Sequence, residues 1–183
     1  MSKRTQHQKN QESETSDWQT EPTGTQDQVQ EFTSTTELHG LSCSTHLVPP
    51  DEVNRIWDFV EPFLNMMTPY TEGELLPEDF YESLTNGGMQ LWVAVTENEI
   101  IAPMVTQVIP YPRKNVLRII CIGGQHMDKW LRFFPRVEDF ALYAGCSSME
   151  CWGRKGWLRI LKDWGWKCSY HIITKDLKKT RMH

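Results

Sequence analysis

Hydrophobic and polar positions change character near residue 42. Before it Gln, Thr, Ser and Glu dominate, and Trp18, Phe32 and Leu38 are isolated large apolar residues. Such a segment cannot bury enough area to offset the entropy of ordering it. Residues 1–41 are therefore expected to be a disordered polar tail, with Trp18 or Phe32 as anchors should the arm dock onto a partner. From residue 42 periodic patterns begin. Residues 44–48 alternate weakly and run into Pro49 and Pro50, as a short first strand does. Val53, Ile56, Trp57, Val60, Phe63, Leu64 and Met67 recur at three and four, which is one apolar helical face. Pro62 lies inside this run and is expected to kink or divide it. Pro77, Glu78 and Asp79 open a second helix with Phe80, Tyr81 and Leu84 inward, closed by Asn86, Gly87 and Gly88.

Residues 89–96 and 100–109 read as two strands of a hairpin around a tight turn at 97–99. Pro103 marks an irregularity or an edge in the second. Residues 111–115 form another turn, and the apolar run 116–122 predicts a strand covered on both faces. Gly123 and Gly124 break the chain. Residues 127–144 carry a helical stripe of Trp130, Leu131, Phe134, Val137, Phe140, Ala141 and Ala144, interrupted at Pro135 and ended by Gly145. A short strand at 147–152 follows. A helix at 155–164 then offers Leu158, Leu161 and Trp164 as its candidate buried face and Gly165 as its cap. Residues 167–174 read as the last strand. The order β-α-α-β-β-β-α-β-α-β predicts an α/β domain over 42–177 with a mixed central sheet and helices on both faces. Residues 178–183 are a basic end.

The net charge of -5 argues against non-specific binding to nucleic acid or an anionic membrane. No apolar run reaches the about 18 residues of a membrane span, and the polar start is no secretory signal. The five cysteines, Cys43, Cys121, Cys146, Cys151 and Cys168, form no CxxC pair. They read as reduced core thiols rather than a zinc site, in a cytoplasmic setting, and no metal is expected.

The element order, together with the stretch from Gly153 to Trp166 in which Gly165 and Trp166 end the penultimate helix, resembles the GNAT (GCN5-related N-acetyltransferase) superfamily. The resemblance covers about residues 43–177 and extends to the small GNAT-like proteins of tailed bacteriophages, some of them associated with virion assembly. It implies a site for acetyl-CoA or another acyl-CoA. The pyrophosphate would meet backbone amides after the fourth strand, where a helix start favours anions. That place is occupied here by Gly123, Gly124, Gln125, His126 and Met127, with Asp128 following and no arginine. The resemblance also implies a tyrosine acid four residues before the Gly-aromatic pair, where this chain has Leu161, and an asparagine where it has Arg154. The candidate base is Glu150, flanked by Met149 and Cys151; the alternative is an outward residue on an alternating strand.

Three functions fit these residues. The first is a phage-encoded GNAT-fold component of virion assembly or protein interaction with degenerate acyl-CoA motifs, present in the host cytoplasm and the virion. The second is an active acetyl-CoA-dependent N-acetyltransferase, and the third a regulatory module holding a nucleotide-like ligand. A protein partner would be met by the N-terminal tail and by the region of Trp152, Trp157, Trp164 and Trp166, where the bland reading is core and rim packing.

Overall fold

The structure is a computed structural model that describes residues 34–38, 41–97 and 99–175. Six strands lie side by side in chain order. They are β1 (Ser34–Leu38), β2 (Leu41–Val48), β3 (Gln90–Thr96), β4 (Ile100–Tyr111), β5 (Lys114–Ile122) and β6 (Cys146–Cys151). Each of the first five is antiparallel to its neighbour, while β6 is parallel to β5. The change of sense follows from the connection. A tight turn can only reverse a strand, whereas residues 123–145 carry the chain back across the sheet before β6 begins.

Helices cover both faces, as the element order predicts. Against one face lie α1 (Val53–Met67) and α2 (Pro77–Thr85). Their Val53, Val60, Leu64, Phe80 and Leu84 pack on Met89, Leu91, Val93 and Val105 of the sheet side. The other face is covered by α3 (Met127–Trp130), α4 (Phe134–Tyr143) and α5 (Lys155–Leu161). Here Trp130, Phe134, Val137, Ala141 and Leu161 meet Trp92, Ala94, Ala102, Leu117 and Ile119. β3, the middle of β4 and much of β5 are thus apolar on both sides, which is why their sequences run nearly unbroken. Trp92 is wholly enclosed. Its indole N–H donates to Thr106 Oγ1 at 3.1 Å, and that hydroxyl donates to Gln90 Oε1 at 3.2 Å, so no polar atom of the group is stranded.

Four expectations are corrected. First, pairing starts earlier than residue 42: β1 falls within the stretch expected to be tail and joins β2 from Ser34↔Thr45 to Leu38↔Leu41. Trp18, Phe32 and the basic end at 178–183 lie outside the described residues. Second, Pro62 neither divides α1 nor ends it. The carbonyl it leaves without a helical donor is that of Asp58, and both residues are exposed, so water can serve it. Third, residues 167–174 form no ladder. Their strand propensity has no apolar surface to bury against: Tyr170 and Ile172 are exposed and Ile173 is 93% exposed. Burial of one face is what sets a register, and none is available there. Fourth, α5 buries Leu161 and half-buries Trp157, leaving Leu158 and Trp164 outside. The helix tightens into a 3-10 turn at Lys162–Trp164, which takes Trp164 off the stripe. Gly165 then stops it in the left-handed region at φ 82°, as read from the sequence.

Pro103 sits inside the sheet opposite Val93, not at an edge. Its carbonyl accepts from Gly123 N at 3.4 Å, just beyond the last β4–β5 pair, Met104↔Ile122. In an extended strand a residue's nitrogen and carbonyl point the same way. The missing N–H therefore faces the exit of β5, where no ladder acceptor waits.

Candidate functional site

The two parallel strands end at different heights. β5 pairs with β6 from Asn115↔Cys146 to Ile119↔Cys151. Ile120, Cys121 and Ile122 continue without a partner on that side, while the chain after Cys151 leaves through Trp152, Gly153 and Arg154 to start α5. A notch results at the C-terminal ends of parallel strands, the place where open α/β sheets take ligands. Glu150 stands one residue before the end of β6 and the Gly123–Met127 bend starts one residue after the end of β5, so each sequence-selected group lies at the C-terminal end of one of the two parallel strands.

The bend is drawn tightly onto β4. Gln125 N donates to Ile101 O at 2.8 Å, and Gly123 N to Pro103 O. Gly124 has φ +143°, and a Cβ there would lie 2.6 Å from Ala102 Cα and closer still to Ile101 O. The nearest atoms to a Cβ on Gly123 would be those of the flexible Met67 side chain, with its Sδ at 2.8 Å. Gly124 is thus required by the closeness of two backbones. The amide of Gln125 is already spent on β4, which removes it from any anion. Gln125, His126, Met127 and Asp128 have exposed side chains, and His126 sits in the left-handed region at φ 54°.

Glu150 is not free. Its Oε1 accepts from Arg118 Nε at 2.6 Å in an ion pair with both side chains 17% exposed. Arg118 stacks over the Trp152 ring at 4.0 Å and donates to Tyr111 Oη at 3.2 Å. Tyr111 and Tyr170 hydroxyls reach the same carboxylate at 3.5 and 3.4 Å. The negative charge of Glu150 is the largest of the causes that raise the Tyr170 hydroxyl above its ordinary pKa. Nearby, Arg154 stacks over Tyr70 at 4.4 Å, tying the start of α5 to the turn after α1. None of Arg118, Tyr111, Tyr170 or Tyr70 stood out in the sequence. The parallel register sets Arg118 opposite Glu150, and Tyr111 and Tyr170 reach that pair from outside the β5–β6 ladder.

Leu161, where an acid would stand, is 4% exposed in the core and has no proton to give. Burial pushes the Cys121 thiol up to about 12 and that of Cys151 up to about 11, so neither is a nucleophile at neutral pH. His46 is hydrogen-bonded to Ser44 at 2.7 Å on β2, away from the notch. Among the described residues no group of His, Cys, Asp and Glu is placed to hold a metal, and no helix is long and apolar enough to cross a membrane. The four C-terminal tryptophans separate. Trp157 lies against Trp130 and Trp166 against Phe134, both half-buried, whereas Trp152 (51% exposed) and Trp164 face solvent.

This architecture is the GNAT fold. No family model matches the chain, and no curated protein matches it by sequence. Solved structures do. A GCN5-related N-acetyltransferase from Ralstonia eutropha JMP134 is similar at TM-score 0.58 with 12% identity, over 73% of this chain and 98% of that one. An aminoglycoside acetyltransferase from an uncultured soil metagenomic sample, solved with sisomicin, gives 0.56 and 10% identity over 83% and 99%. A ribosomal-protein-alanine N-acetyltransferase from Brucella melitensis biovar Abortus 2308 gives 0.55 and 10% over 73% and 99%. At these identities the likeness defines the fold and leaves the activity to the site.

Proposed function

We propose that this chain is a GNAT-fold interaction component, phage-encoded and acting in virion assembly, rather than an acetyltransferase. The observation that carries the non-catalytic part is the state of the notch. The bend meant for a pyrophosphate is closed onto β4 by Gln125 N→Ile101 O and wedged there by Gly124. The acid position is a buried leucine, and the carboxylate of Glu150 is paired with Arg118. The exposed aromatic and basic side chains around Trp152, Arg154 and Trp164 belong to the residue types that concentrate binding energy at protein interfaces. The assembly role itself rests on the resemblance to phage proteins.

Calorimetric titration of the full chain with acetyl-CoA and with free CoA tests the first part, and no heat of binding at micromolar concentrations is expected. Micromolar binding that disappears in His126→Asp would overturn it. That variant places a carboxylate beside the bend at an exposed left-handed residue, a conformation aspartate tolerates. The assembly part is tested by mass spectrometry of particles and assembly intermediates of the encoding phage; absence from both would refute it.

A second reading, an active acetyl-CoA-dependent N-acetyltransferase, has one observation in its favour. Tyr170 keeps its proton beside Glu150, so a donor for a departing thiolate exists at the notch although Leu161 is not one. In that reading Gly123, Gly124, Gln125, His126 and Met127 face the pyrophosphate and Glu150 is the base. Acetyl-CoA-dependent turnover that is lost in Tyr170→Phe would establish it.

A further inference from the structure

A second concave site lies between β2, β3 and β4 on one side and α3 and α4 on the other. Its walls are Trp92, Ala94, Ala102, Met104, Phe134 and Val137, with Pro103 and Ile122 at the side nearest the notch. The space is about 300 Å³ where open solvent is included, of which about 20 Å³ can take the centre of a water-sized group. That is room for one such group in contact with the walls. Two further lining residues are polar, Thr45 from β2 and Trp130 from α3, at 4% and 6% exposure. Among the described residues, Thr45 Oγ1 and Trp130 Nε1 are the two buried side-chain polar atoms without a hydrogen-bond partner. Both residues line this one cavity. The contrast with the neighbouring Trp92 is informative, because that indole is fully served by Thr106. A stranded buried donor costs about 1–3 kcal/mol, so two in a single cavity call for an occupant.

The chemistry of the pair selects that occupant. An indole N–H only donates, and a hydroxyl donates or accepts. An oxygen that accepts from both satisfies them together. A water placed there could accept from Trp130 and give one proton to Thr45, but its second proton would face apolar side chains that offer no acceptor. A carbonyl oxygen carries no proton and presents its apolar substituents to that wall. We infer that this cavity is a binding site for the carbonyl end of a small neutral ligand, held between Thr45 Oγ1 and Trp130 Nε1. The site is independent of acyl-CoA at the notch and of the role proposed above. Because Trp130 ends the short helix that follows the Gly123–Met127 bend, an occupant would pin that segment to β2.

The test is titration of the ¹⁵N-labelled full chain with acetone, followed at the Trp130 indole resonance assigned through Trp130→Phe. A saturable shift of that resonance at millimolar acetone is expected. Thr45→Val should weaken the binding about two- to tenfold, the worth of one hydrogen bond, while raising the melting temperature of the ligand-free protein because it removes a stranded hydroxyl. Three results would overturn the inference: xenon perturbing the site as strongly as acetone, as in a dry apolar void; a long-lived water at the Trp130 N–H that acetone does not displace; or a Thr45→Val protein that binds acetone as tightly as the parent.

Discussion

Replacing Gly124 with alanine tests whether two backbones in contact demand this glycine. The added Cβ would stand 2.6 Å from both Ala102 Cα and Ala102 Cβ and nearer to Ile101 O, atoms of a central strand that cannot rotate away. Forcing a methyl group into such a place costs about 1–3 kcal/mol. The φ of +143° adds about 1–3 kcal/mol for a residue with a side chain. The sum is about 2–6 kcal/mol. With a urea dependence of about 2 kcal/mol per molar, the midpoint should fall by about 1–3 M, read by the fluorescence of the tryptophans. Gly145→Ala is the control. Gly145 also has positive φ, +72°, but a Cβ there meets nothing within 4 Å. Only the left-handed backbone penalty applies, about 1–2 kcal/mol. Faster amide exchange at Gln125 in Gly124→Ala would locate the damage at the bond to Ile101. If Gly124→Ala is no more destabilising than Gly145→Ala, the close approach of the bend to β4 is wrong, and with it the argument that the bend is closed to an anion.

Two predictions concern charge and protonation. Arg118→Ala removes one partner of a mostly enclosed ion pair and is expected to destabilise by about 1–3 kcal/mol, whereas Arg55→Ala breaks an exposed pair with Glu52 and should cost no more than about 0.5 kcal/mol; equal thermal shifts for the two would contradict the enclosure of Glu150. The thiols of Cys121 and Cys151 are raised to about 12 and about 11 from 9.0. Between about pH 9 and 12 the unfolded chain loses protons that the folded chain keeps, so their contribution, full below pH 9, is lost as pH rises through that window. Unfolding free energy measured against pH should fall across it, and Cys121→Ala should flatten the fall; an unchanged slope would place Cys121 in water.

Much of this protein was legible as local pattern. The three-and-four spacing from Val53 to Met67 located α1, the unbroken apolar runs located β3 and β5, and Pro135 marked the break that falls between α3 and α4. Gly165 was readable as a helix stop because a left-handed cap is a property of a few consecutive residues. The failures share one cause. Residues 167–174 have strand propensity but no surface to lie on, Pro62 is tolerated because its side of α1 faces water, and Trp164 leaves the stripe because the last turn tightens. In each case the deciding partner is solvent or a distant element.

The sequence by itself determined the kinds and order of the elements from β2 to α5 and the covering of the sheet on both faces, because periodicity and turn chemistry act over a few residues. Tertiary structure alone decided what the notch can do. The shift of register between Asn115 and Val116 sets Arg118 against Glu150, thirty-two positions away, and closes off the carboxylate. The packing of the bend on β4 turns Gly124 from a candidate phosphate cradle into a wedge, and the seating of α3 over β2 brings Thr45 and Trp130 to one cavity. These depend on which strand lies beside which and at what offset, and a slip of one residue would turn every side chain to the other face.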